Sequence, residues 1–140
     1  MTVSYDATTK TNRMTTVLAA INAQTFNAPS GAGSAGKMVI GDGTLSGATG
    51  VLVTINLLNP AGTVSGSVLT INTTTPLTAN ATATGTASKA EIRTNANAVI
   101  VTGLTVGTSG TDVIVNSTSI TSGQAVTMPS SPTSTITHST

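Results

Sequence analysis

From residue 37 to the C-terminus the chain breaks into short apolar segments, each closed by Gly, Pro, Asn or Thr. Lys37–Ile40 ends at Gly41-Asp42-Gly43, Val51–Leu58 at Asn59-Pro60-Ala61-Gly62, and Val68–Ile71 before Thr73-Thr74-Thr75-Pro76. In 79–84, Ala79, Ala81 and Ala83 alternate with Asn80, Thr82 and Thr84. Further segments follow at Ala98–Thr102, Gly103–Val106, Val113–Val115, Gln124–Met128 and Thr135–Thr137. Strands of this length at this spacing, joined by turn residues, predict a mainly β chain, an antiparallel β-sandwich or barrel. Val51–Leu58 is apolar at most positions of both parities, so that strand is expected to be covered on both faces. Around Ala90 and Ile92, the residues Lys89, Glu91 and Arg93 take the other parity and are expected on an exposed face. No exact internal repeat is present, which argues against a solenoid.

One stretch follows a different rhythm. Met14, Val17, Leu18 and Ile21 fall at i, i+3, i+4 and i+7, one face of a helix placed at about 8–23. Asp6, Thr8 and Thr9 offer capping oxygens at its start. A helix of this length is marginal alone, so its apolar face must pack on its own sheet or on a neighbour. The expected organisation is an N-terminal helical arm over 1–23, a Gly/Ala/Ser linker over 24–36 and a β domain over 37–140. The linker contains Gly31-Ala32-Gly33-Ser34-Ala35-Gly36, which has the spacing of a phosphate loop. It lies after a helix and before a strand, the reverse of the context that mechanism needs.

Composition narrows the function. Only 6% of the residues are charged and the net charge is +1. No nucleic-acid footprint exists at that charge, because counterion displacement needs clustered Lys and Arg. The chain has no Cys, one Tyr, one Phe and no Trp, so disulfides, thiolate metal sites and aromatic hot spots are excluded. Asp6, Asp42, Glu91 and Asp112 are scattered, with a cap, two turn positions and a strand face as their simplest roles. His138 is the single imidazole and no partner ligand lies near it in sequence. The reading is of a non-enzyme with no cofactor, no metal and no small-molecule substrate. The polar start of the chain and the absence of a long apolar run predict no secretory signal and no membrane span.

The order of segments resembles a family of small virion structural proteins of tailed bacteriophages. The resemblance rests on Thr8–Ile21, on Asn59-Pro60-Ala61-Gly62-Thr63-Val64, and on the small-residue run Ala79–Ala90. It continues through Gly103-Leu104-Thr105-Val106-Gly107 and Gly110–Gln124. It implies a virion component without catalytic residues, made in the bacterial host cytoplasm. A capsid cement or decoration protein on the head surface is expected, with the major capsid protein and further copies of itself as partners. A tail component (tube, baseplate or fibre) or a surface-binding adhesin module are the alternatives. Arg13, Met14, Val17, Leu18 and Ile21 are the expected interface residues, Arg13 by pairing with a partner's carboxylate.

Overall fold

The computed structural model describes residues 3–23 and 33–137. Residues 24–32 of the linker expected over 24–36, and His138, lie outside the described residues. Helix α1 spans Ala7–Ile21. It is followed by β1 (Lys37–Ser46), β2 (Thr49–Asn56), β3 (Gly62–Ser65), β4 (Val68–Ile71), β5 (Leu77–Asn80) and β6 (Gly85–Thr86). Then come β7 (Lys89–Arg93), β8 (Val99–Gly107), β9 (Val113–Ile114), β10 (Ser119–Ile120), β11 (Ala125–Met128) and β12 (Thr135–Thr137). The protein is mainly β with one N-terminal helix, and its sheets are antiparallel apart from one short pair.

The helix begins where Asp6, in extended conformation, accepts a hydrogen bond from the Thr9 N–H at 2.8 Å. Thr11, Thr15 and Thr16 donate their hydroxyls to carbonyls one turn back, so these poor helix formers leave no polar atom wanting. Packing on β3, β4 and β8 supplies the stability that propensity does not. Ile21 is fully enclosed and Met14 nearly so, while Val17 and Leu18 lie half-buried against the same core. The helix is therefore docked on the β body over its described length, not a separate arm.

Its C-terminus is a junction. Asn22 is fully buried; its side-chain oxygen accepts from the Ala61 N–H at 3.1 Å and its carbonyl from the Ser34 N–H at 2.7 Å. Residues 33–36 thus return against the helix end. Gly36 is needed there, since a Cβ would lie 2.7 Å from Ile21 Cγ2 and 2.8 Å from the Ile21 carbonyl oxygen. The Gly36 carbonyl in turn accepts from the Leu57 N–H at 2.9 Å.

The larger sheet has the order β2-β1-β7-β8-β9. Its register places Val53, Ile40, Ala90 and Leu104 in one row across the strands and Ile55, Met38, Ile92 and Val101 in the next. These rows join one core with Leu69 and Ile71 of sheet β12-β4-β3, Leu77, Val126 and Met128 of β11-β5, and Ile120 of β10-β6. Within β2, Thr54 and Asn56 are exposed, so two-sided coverage holds only near Leu52, whose carbonyl accepts from the Thr82 N–H. The expected segments Ala98–Thr102 and Gly103–Val106 are one strand, kinked at Gly103 (φ +77), where Thr102 and Gly103 of β8 oppose Glu91 alone of β7.

The second face of this sheet departs from expectation at β7. Glu91 and Arg93 are buried, at 7% and 8% exposure, instead of lying in solvent beside Lys89. The cause is the β1–β2 hairpin. Four residues of β1, Asp42 to Leu45, loop out opposite Gly50 alone, and the tip reaches back until the Gly47 carbonyl meets Arg93 Nη2 at 2.7 Å. Alternation assigned these side chains to the correct face; it could not show that a turn 46 residues away covers it.

A shared core makes helix and sheets one cooperative unit. Ile21→Ala is expected to cost about 3 kcal/mol and to lower the urea midpoint of the whole protein in a single transition followed by circular dichroism. A helix unfolding separately, with the β signal unmoved, would contradict this.

Candidate functional site

The chain places β9 beside β8 in an unusual way. The two run parallel, pairing Val106 with Val113 and Gly107 with Ile114, although only five residues separate them. A clip closes this loop. Asp112 Oδ2 accepts from the Thr105 N–H and hydroxyl, both at 2.9 Å, and the Asp112 N–H donates to Thr105 Oγ1 at 3.2 Å. On its other side the Asp112 carbonyl accepts from the Thr135 N–H at 3.1 Å. One residue thus bridges the outer edge of β8 to the outer edge of β12. The expectation of a turn role for Asp112 gives way to this longer reach.

Beyond Asp112 the space between the two strands stays open. β8 is paired with β9 only at Val106 and Gly107, and β12 is paired only with β4. The slot so formed has a volume of about 310 Å³ and is lined by Ile100, Val101 and Thr102 of β8, Ile136 and Thr137 of β12, and Met14 and Val17 of α1. Val99, at its β8 end, is 49% exposed. No lining side chain is titratable. The slot can offer main-chain donors and acceptors from two strand edges, with an apolar floor from the helix. That combination suits an extended peptide segment.

Of the expected interface residues, Met14 and Val17 line this slot, Leu18 is half-buried against the core and Ile21 is sealed inside it. Arg13 stands exposed, its guanidinium 4.0 Å from the centre of the Tyr5 ring, a cation–π contact within the chain. The β8 and β12 residues were not anticipated. Their signal was present in Val99-Ile100-Val101, an apolar run without alternation, the pattern of a strand with apolar demands on both faces.

Elsewhere the exterior is hydroxyl-rich. A shallower cleft of about 420 Å³ has Thr63, Thr70, Asn72 and Thr133 among its lining and no titratable side chain. Thr63, Thr70 and Thr135 form a row across β3, β4 and β12, and Thr78 and Thr127 share a hydroxyl hydrogen bond of 2.9 Å across β5 and β11. Among the described residues no group of three His, Asp or Glu side chains could hold a metal, and no helix is long and apolar enough to cross a membrane. Comparison of the chain with protein-family models, curated proteins and solved structures finds no match.

The acidic groups have local partners. Glu91 Oε2 accepts from Arg93 Nε at 3.0 Å and Nη2 at 2.7 Å. The Thr9 N–H, with its hydroxyl second, holds the Asp6 carboxyl below its ordinary value. The Thr44 hydroxyl, with its N–H second, does the same for Asp42. Stability from such depressed groups is in full force above the unfolded carboxylate pKa of about 3.9 and is lost as pH falls through the lower native values.

Two outcomes are expected. Glu91→Ala removes both the acceptor and the counter-charge of a buried guanidinium and should cost about 3 kcal/mol in urea unfolding at neutral pH; a change within error would show the pair to be dispensable. Asp6→Asn keeps a capping oxygen but removes the titration, so its acid unfolding curve should be flatter than wild type below about pH 4. Superimposable curves would remove Asp6 from the acid response.

Proposed function

We propose that the protein is a structural component of a tailed-bacteriophage virion, a capsid cement protein that binds the major capsid protein and stabilises the head. The observation that supports an assembly role is the open slot. Sheet edges in a free-standing protein are ordinarily blunted by charge, Pro or a covering element. Here the edges of β8 and β12 carry Ile100, Val101, Thr102, Ile136 and Thr137, none of which protects them. An edge left in this state is suited to taking on another chain. The low charge is consistent with life inside an assembly, where a neutral surface is a smaller liability than in dilute solution. The virion placement comes from the resemblance of the segments quoted above.

On this reading the β body is the rigid element and binding needs no chemistry. Purified protein co-sedimented with expanded heads that lack it should pellet saturably at a fixed ratio to the major capsid protein, and should raise the temperature at which those heads release DNA. Absence from the pellet, together with presence in purified virions, would overturn the cement role and move the protein to the tail.

A further inference from the structure

The slot has the shape of a missing strand. β9 and Asp112 occupy the space between β8 and β12 at one end, with Asp112 bonded to both neighbours. Past Asp112 the same lane continues, with β8 from Thr102 back to Val99 on one side and β12 out to Thr137 on the other. Nothing among the described residues pairs with those two edges. Met14 and Val17 form the floor on which inward-facing side chains of an added strand would rest.

The chain carries a segment of matching character. Residues 3–6 precede α1 outside any helix or sheet; Asp6 is extended, and Tyr5 lies against the Arg13 guanidinium. Two large apolar side chains are exposed among the described residues, Val3 at 55% on this segment and Val99 at 49% beside the slot. In Met1-Thr2-Val3-Ser4-Tyr5 apolar and polar residues alternate, the period of a strand with one buried face. The side chains of Val3, Ser4 and Tyr5 carry no charge, which matches a slot lined without charge. Val3–Tyr5 reaches about 10 Å when extended, equal in residue count to β12. The segment cannot extend past Tyr5, because Asp6 is committed to capping α1. In its own chain Val3 stands in solvent while the slot is empty of it.

We infer that the N-terminal segment of one copy enters the slot of a second copy as an added strand between β8 and β12, with Val3 directed at Met14 and Val17. The contact is heterologous: segment and slot are different surfaces, so each copy gives one arm and receives another. Such contacts close into a ring or continue as a chain around a surface. Main-chain hydrogen bonds supply the affinity, and the alternation of Val3 with its neighbours supplies the register. The inference deepens the assembly reading by naming the occupant of the slot, and it concerns contacts between copies, not the contact with a shell.

The chain contains no Cys, so introduced thiols report without background. Val3→Cys and Val99→Cys, each at an exposed position, are made separately, mixed and oxidised. The expected product is a disulfide-linked dimer formed by the mixture far in excess of either variant alone. Val99→Lys should weaken self-association by about tenfold in sedimentation equilibrium, the effect of a 1.4 kcal/mol loss, while its thermal midpoint stays unchanged. Three results would overturn the inference: wild type that remains monomeric at its highest soluble concentration with no mixed crosslink; a Val3→Cys/Val99→Cys double variant that closes within one chain at high dilution; or crosslinks between two Val99→Cys chains alone. All are read on purified protein. Copies that crosslink but do not bind heads would sink the cement role alone, and monomers that bind heads would sink the arm alone.

Discussion

The fold is held together at the end of its helix. Ile21 and Asn22 are both fully enclosed, and around them three chain segments meet. Asn22 accepts from Ala61 and Ser34, Gly36 presses on Ile21, and the Gly36 carbonyl receives Leu57. The start of β1, the link from β2 to β3 and the helix are thereby fixed to one another. The position of α1 over β3, β4 and β8 follows, and with it the floor of the slot. A buried amide that joins three segments favours one arrangement, because in any other the Ala61 and Ser34 N–H groups lose their acceptors, even though its own Nδ2 has no hydrogen-bond partner.

Charge is used sparingly, and one pair of it is buried. Glu91 and Arg93 form a buried pair in which Nε and Nη2 both donate to one carboxylate oxygen, and Nη2 also donates to the Gly47 carbonyl. The pair acts less as an attraction between ions than as a latch for the β1–β2 hairpin tip. Val39, on the same face and 2% exposed, is enclosed as well. A sheet that would otherwise be wet on one side gains a partial second core there.

Much of the architecture was legible because it depends on local signals. The period of Met14, Val17, Leu18 and Ile21 gave the helix, Asp6 its start, and the Gly, Pro and Asn turns most strand ends. The misreadings share a cause: each depends on what a distant segment does. Alternation gave Glu91 and Arg93 a face, but a hairpin tip buried them. Helical spacing made Met14 and Ile21 an apolar stripe but could not say that the stripe would face its own body. The slot was least legible, since it is defined by strands that fail to meet. The one bridge between β8 and β12 is Asp112, a residue whose sequence context reads only as a turn.

The rows of Thr across β3, β4, β12, β5 and β11 have one further consequence. A surface wetted by hydroxyls holds its water through neutral dipoles, and dissolved ions have little there to screen. The hydration of this protein, and the strength of main-chain contacts made along its neutral edges, should therefore change little between brine and fresh water. A particle coated with such a protein would carry its stability through changes of ionic surroundings that loosen coats held by salt links.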